Sequence, residues 1–398
     1  MIKTNDFKTK TFMKKHKMAG ADKAWVIALD IGYSSVKTMS RCGFFSFPSF
    51  ATRRLENPTL NIAEPSNDDI FYKDENGVIW VVGEQAVSSV RQQDNSNTEE
   101  MLYTRNRYKN PMFLVLARVG IALGLQNLDS SPNSDEPKGS NLVLQTGLPP
   151  IYLKSDSKIL KKVLSGKHEF YLKVGAGGWK KYTFNLSENN IKIMGQPMGS
   201  LFSATFDDNG KEIEGATEFL HSNLLIFDGG FGTLDTFEIR NGAIGSMQTF
   251  DFLGMKAVLH EAADIIYKKY GEEIAVSAMQ NNLKSGFIST YNDEEVSSEE
   301  VPIDGIIETA SRNICMEAIT QIRQIYNNLR DYKYLVITGG CGDAWFEMIK
   351  EYFSKMHGLE VIPANRNTKI AQIFSNVRGY YLYCVNSVNR ASNNTNKV

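Results

Sequence analysis

Leu224–Arg240 reads LLIFDGGFGTLDTFEIR, and Trp25–Arg41 reads WVIALDIGYSSVKTMSR. In each, an apolar run ends in an aspartate, a glycine-rich turn follows, and a second run can return as a strand. The aspartates, Asp228 and Asp30, stand 198 positions apart. One strand–turn–strand device is thus used twice, toward opposite ends of the chain. This predicts two similar halves that address one ligand.

The turns indicate that the ligand is a polyphosphate. A tight glycine turn leaves backbone N–H groups uncovered and able to converge on an anion. Gly32 with Tyr33, Ser34 and Ser35 supplies one such turn, and the hydroxyls add donors. Gly229, Gly230, Gly232 and Thr233 supply the other. Lys37, seven residues after Asp30, is placed to reach back as a point cation. A carboxylate needs a cation between itself and phosphate oxygens, and Mg²⁺ suits one or two carboxylates plus phosphates and waters. Asp30 and Asp228 are the expected pair, acting through metal-bound water, with Asp235 as a further helper. Asp-X-Gly alone also marks a plain turn, so the two stretches carry the reading together.

A third element is YLVITGGCGD, Tyr334–Asp343. An apolar strand ends at Gly339, Gly340 and Gly342, where a flat ring can approach the backbone; a plain strand-to-helix turn is the other reading. The chain has no G-x-x-x-x-G-K-[ST] phosphate loop. It also has no G-x-G-x-x-G opening a strand–helix–strand unit.

The rest of the chain fits an α/β protein. Strands are expected at Trp25–Asp30, Val36–Arg41, Val78–Val82, Asn141–Gln145, Leu224–Asp228, Asp235–Ile239, Tyr334–Thr338 and Leu359–Ile362. Helices are expected at Pro111–Leu125, which is apolar, and at Gly254–Tyr270, Ile303–Asp331 and Lys369–Val385, which carry an apolar stripe. Gln126–Asn141, the acidic Ser289–Pro302 and the Asn-rich Ser387–Val398 read as exposed loops or a fraying tail. Lysine-rich Met1–Lys23 reads as a flexible basic arm. Gly379 sits inside the last helix and is expected to permit close helix packing.

Composition sets bounds. The 398 residues suffice for two or three domains, and 42% hydrophobic content can bury a core. Lys+Arg 44 against Asp+Glu 45 gives net charge −1, so direct nucleic-acid binding would need a local patch. The four cysteines form no CxxC, and a zinc site or disulfide framework is not expected. No apolar run is long enough to span a bilayer, and a cytoplasmic location is expected.

Asp30 with its D-x-G, DGGFGTLD at Asp228 and the strand before Gly339–Gly340 resemble the phosphate-1, phosphate-2 and adenosine motifs of the actin superfamily. Within it, the likeness is to bacterial plasmid-encoded actin-like proteins of the ParM type. DIGYSSVK resembles their D-x-G-S-T-N-x-K, GGFGTLD their GG-T-TLD, and TGLPP at Thr146–Pro150 their TLPL strand end. The resemblance runs from about Trp25 to Val385.

It implies an actin-like, ribonuclease H-like two-domain fold with a nucleotide cleft between the halves. Residues 24–193 would form domain I, completed by a C-terminal helix over 368–386, and 194–367 domain II. A disordered tail would cover 387–398. It implies ATP, or GTP, with Mg²⁺. Ile191–Phe206, IKIMGQPMGSLFSATF, resembles the V-M-P-E-S segment that carries the catalytic glutamate, and Gln196 stands at that position. A glutamine cannot take a proton at neutral pH but can orient water. Gln196, Asp30 and Asp228 are therefore the expected catalytic residues, with slow hydrolysis; the other reading makes Gln196 a helix-start residue beside Pro197. The Gly254 region and the Ile303–Asp331 helix should line the nucleoside side.

The resemblance further implies a nucleotide-dependent filament that segregates plasmid DNA through a DNA-binding adaptor, without direct nucleic-acid or membrane contact. Two complementary faces on one protein suffice for an open filament. A small-molecule kinase of the same superfamily is the alternative, although Gly195–Ser200 offers no carboxylate base. A chaperone-like ATPase would carry a further substrate domain, and none is evident after Val385.

Overall fold

The computed structural model describes residues 9–54, 65–89, 105–126, 141–276 and 278–395. The chain divides into two compact units: a larger one of Lys10–Ala86, Arg105–Leu220 and Ala364–Val398, and a smaller one built on His221–Pro363.

Among the described residues the larger unit holds eleven strands: β1 Phe12–Lys15, β2 Ala24–Ile31, β3 Ser35–Ser40, β4 Gly43–Pro48, β5 Ala51–Arg53, β6 Ile70–Lys73, β7 Ile79–Val82, β8 Asn141–Leu148, β9 Gly166–Val174, β10 Lys180–Leu186 and β11 Ile191–Gly195. Six form a sheet in the order β1-β4-β3-β2-β8-β11, and five a second sheet, β10-β9-β6-β7-β5. β2 is antiparallel to β3 and parallel to β8. It is buried along its whole length because helices cover both faces. Helix α1, Pro111–Leu125, lies over Ile27 and Leu29, and its first turn is capped by Asn110, which accepts from Met112 N–H. The C-terminal helix Ser375–Thr395 packs on the alternate residues Val26 and Ala28 through Val377, Tyr380 and Tyr381.

Two further helices complete the layer, α2 Leu153–Leu164 and α3 Gln196–Ser203. The C-terminal helix crosses α3 where both carry glycine: a Cβ on Gly379 would lie 1.6 Å from the Gly199 carbonyl oxygen. Backbone-to-backbone contact at this crossing is what the expected glycine packing amounts to. Arg378, with no exposed surface, fixes the same junction. It donates to Asp208 at 2.8 Å, to the Ser203 carbonyl at 2.7 Å and to the Phe206 carbonyl at 2.8 Å. Ile191–Leu220 therefore lie with the larger unit.

The smaller unit holds β12 Leu224–Gly229, β13 Leu234–Arg240, β14 Ala243–Phe250, β15 Phe287–Asn292, β16 Ser297–Pro302, β17 Tyr334–Thr338 and β18 Glu360–Pro363. Its sheet runs β14-β13-β12-β17-β18, with β12, β17 and β18 parallel. Helices α4 Met255–Tyr270, α5 Asp304–Ile325 and α6 Gly340–Tyr352 bury its core around Phe227, Leu259, Ile307 and Trp345. The Trp345 indole finds a partner in Ser311 at 2.8 Å.

Several expectations need correction. The basic arm is not loose throughout: Phe12–Lys15 pairs with β4, because Phe12 stacks on Phe44 and Phe374 with ring centroids 5.7 and 6.0 Å away. The acidic Ser289–Pro302 is not a loop but most of the β15–β16 hairpin. The C-terminal helix starts at Ser375, later than Lys369, and continues to Thr395 through the stretch read as a tail; Asn389 on it donates to the Gly20 carbonyl at 3.3 Å. The helix read as Ile303–Asp331 ends at Ile325, where Asn327, Asn328 and Leu329 take positive φ. Within Gln126–Asn141, read as a loop, 127–140 fall outside the described residues, as do 1–8 of the arm and 396–398 of the tail. Among the described residues no helix is long and apolar enough to cross a membrane.

The glycine crossing yields a stability test. Gly379→Ala should lower folding free energy by about 3 kcal/mol or more, since backbone rather than a movable side chain blocks the methyl. Gly305→Ala in α5, where a Cβ meets nothing within 4 Å, should be neutral or stabilising by up to about 1 kcal/mol. Urea unfolding of both variants checks the contrast.

Candidate functional site

The two sequence stretches fold as the same hairpin. In the larger unit β2 and β3 are joined by Gly32–Ser34, and the Gly32 N–H donates to the Ser35 carbonyl at 3.0 Å. In the smaller unit β12 and β13 are joined by Gly230–Thr233, and the Gly230 N–H donates to the Thr233 carbonyl at 2.9 Å. In both, a Cβ on that glycine would stand 3.0 Å from the accepting oxygen, so a side chain would press on the closure itself. Tyr33 and Ser34 are half-buried in the first turn; Gly232 and Thr233 are half-buried in the second. Ser35 and Gly229 lie buried at the strand ends.

The strand-end aspartates occupy equivalent places, and the residue seven positions later faces each across the ladder. Asp30 pairs with Lys37 and Asp228 with Asp235. The content of this slot differs. Buried Asp30 has the Lys37 ammonium at 3.6 Å, and Gln196 Nε2 donates to its other oxygen at 3.4 Å. Gln196 does open helix α3 directly before Pro197, and it also reaches the aspartate. The larger unit therefore brings Asp30, Gly32, Tyr33, Ser34, Ser35, Lys37 and Gln196 to one end of its sheet.

In the smaller unit the slot holds two buried carboxylates, Asp228 and Asp235. Burial pushes the Asp235 carboxyl up to about 7, and the neighbouring Asp228 and Asp251 charges act in the same direction. Hydroxyls from Thr249 at 2.6 Å and Thr233 at 3.1 Å donate to Asp235 and pull the other way. Such a dyad favours a proton or a metal cation. The Gly339 turn packs directly on it: at φ 82, a Cβ there would fall 2.7 Å from Asp228 Oδ1 and 2.3 Å from the Gly229 carbonyl. Gly339 caps α6, Gly340 opens it exposed, and Gly342 is buried in its first turn. Gly339 is thus required by the dyad's backbone. At Gly254 the start of α4 closes on the same turn, with Met255 N–H donating to the Gly230 carbonyl at 3.1 Å.

The sequence reading missed two contributors. Thr249 was findable, since it stands opposite Asp235 once β13 and β14 are paired. Arg107 was not: its guanidinium carbon lies 4.6 Å from the Tyr33 ring centroid, from a distant short 3₁₀ turn, Arg105–Lys109.

Comparisons with known proteins bear on the fold. Residues 28–199 match the family model described as the N-terminal domain of actin-like proteins. A 15-stranded ParM filament from Clostridium botulinum superposes with TM-score 0.67 at 18% identity, covering 91% of this chain and 99% of that one. A non-polymerisable quadruple mutant of pCBH ParM gives 0.67 at 19%, with the same coverage. Ta0583, an archaeal actin homologue solved in complex with ADP, gives 0.59 at 14%, covering 92% and 99%. Against curated protein sequences the chain has no significant match. The fold is actin-like, and the solved structures it resembles include ParM proteins.

Asp235 makes folding pH-dependent. Its folded-state proton affinity is raised, so the native state holds a proton that the unfolded chain releases near the ordinary aspartate value of 3.8. Stability from this group is present below pH 4 and falls as pH rises toward 7. The loss is on the order of 4 kcal/mol across that window. Asp235→Asn should remove this slope, which thermal unfolding between pH 4 and 8 without nucleotide or metal measures.

Proposed function

We propose that this chain binds magnesium ATP through both hairpins and assembles into filaments whose stability depends on the nucleotide. The observation that supports this best is the twin hairpin: one phosphate-type turn per unit, each with an aspartate at the same strand end. GTP is the alternative nucleotide. Asp228, with Asp30, is the proposed holder of magnesium through water, and Asp235 assists. Bound magnesium would neutralise phosphate oxygens. The Gly32 and Gly230 turns, with Tyr33, Ser34, Ser35, Gly229, Gly232 and Thr233, would supply donors to phosphates, and Lys37 a cation. Gly339, Gly340 and Gly342 would border the nucleoside.

Gln196 is the proposed water-positioning residue. Its amide is held by Asp30 at 3.4 Å and offers both a donor and an acceptor, but it accepts no proton at neutral pH. Turnover should therefore be slow and depend on positioning rather than on a strong base. Hydrolysis would weaken the filament, because nucleotide state biases the assembled conformation only by differential affinity. Plasmid segregation through a DNA-binding adaptor in the cytoplasm is the proposed setting. It accords with the near-neutral net charge of the chain.

Right-angle light scattering after adding ATP and Mg²⁺ should rise and later decay. A flat trace with phosphate transferred to a metabolite would favour a kinase instead. Asp228→Ala should abolish measurable nucleotide affinity in calorimetry. Gln196→Ala should slow phosphate release by about 100-fold while leaving ATP affinity near that of the wild type; unchanged turnover refutes the assigned role.

A further inference from the structure

Arg107 is held in an unusual way. Its guanidinium carbon stands 4.6 Å from the centroid of Tyr33, 5.6 Å from Tyr108 and 5.6 Å from Phe113. Tyr108 and Phe113 are themselves packed edge to face at 5.1 Å. Three rings thus surround one cation, and one of them, Tyr33, belongs to the glycine turn after Asp30.

Aromatic faces orient a guanidinium but do not cancel its charge. Among the described residues Arg107 forms no ion pair with a carboxylate. Lys37, the other cation at this turn, is already matched by Asp30 at 3.6 Å. Arg107 is thus a second cation at the first hairpin; it hydrogen-bonds Tyr108, and the further in-plane N–H groups of a guanidinium suit contact with an anion. Its 3₁₀ turn runs through Lys109 to the Asn110 cap of α1, so whatever Arg107 binds is linked to a helix covering the central sheet.

We propose that Arg107 reads the terminal phosphate of the bound nucleotide, distinguishing triphosphate from diphosphate at the Tyr33 turn. The proposal rests on the nucleotide reading above. The Tyr33 ring holds the guanidinium at the turn, 4.6 Å from its centroid. An added terminal phosphate brings negative charge that competes for it. Lysine cannot replace it, because an ammonium has neither the flat stacking face nor the paired donors.

The test measures ATP and ADP binding by calorimetry in Mg²⁺ on the full chain, below the concentration that assembles. Arg107→Gln should weaken ATP binding by about 10- to 100-fold, the range expected for charge-assisted hydrogen bonds. ADP affinity should change by less than about twofold. Arg107→Lys should recover only part of the ATP affinity. An ATP-to-ADP affinity ratio unchanged in Arg107→Gln overturns the proposal. So does an equal loss for both nucleotides with a lowered melting temperature, which would mark Arg107 as a staple of the turn. A wild type that takes up neither nucleotide overturns the nucleotide reading itself, and the proposal with it.

Discussion

Everything at the candidate site depends on how tightly two hairpins close. When Gly32 and Gly230 donate to the carbonyls three residues ahead, at 3.0 and 2.9 Å, the strands on either side are fixed in register. Register then places each strand-end aspartate opposite the residue seven positions on. A slip of one residue would turn both aspartates to the opposite face of their sheets. The turn geometry and the carboxylate positions are therefore one constraint. Glycine is needed at its closing point because a side chain there would push on the bond that sets the register.

The same scaffold is charged differently in the two units. In the larger unit the cross-strand slot is complete as built, since Lys37 faces Asp30. In the smaller unit the residue across the ladder is a second carboxylate instead. Two carboxylates face each other, and burial of Asp235 brings its proton affinity close to neutrality. Burying a lone charge is costly, so this hairpin gains by taking a proton or a cation. The same cost explains why Thr249 and Thr233 crowd Asp235 with hydroxyls: they keep an anionic form accessible that burial alone would suppress.

The elements that build this site were legible in the sequence for physical reasons. β2, β12 and β17 are buried on both faces, so they read as largely apolar runs, and each runs into an aspartate or glycine at or beside its end. Helices α1 and α4 carry their own stop and start signals, Asn110 before one and Gly271 after the other. Other parts were invisible because long-range contacts decide them. FMKK makes a strand only because Phe12 meets Phe44 and Phe374. SSEEVP has little strand character of its own and is held by pairing with Phe287–Asn292. The Asn-rich end stays helical because the helix before it is anchored on the sheet. Arg107 was unreadable for the same reason: nothing local links it to Tyr33.

The position of Gln196 shows how far such long-range packing reaches into the chemistry. α3 is only eight residues long, too short to hold itself in place by helix propensity. Its location is set by the Gly199–Gly379 backbone contact and by Arg378, which ties the segment after α3 to the C-terminal helix. That helix in turn lies on Val26 and Ala28 of β2, the strand that ends in Asp30. Gln196 and Asp30 are thus registered to each other twice, once by the 3.4 Å contact between their side chains and once through the last helix of the chain. In the role proposed for it, Gln196 would tolerate little displacement. The final helix, remote in sequence from either hairpin, therefore helps to fix where Gln196 stands.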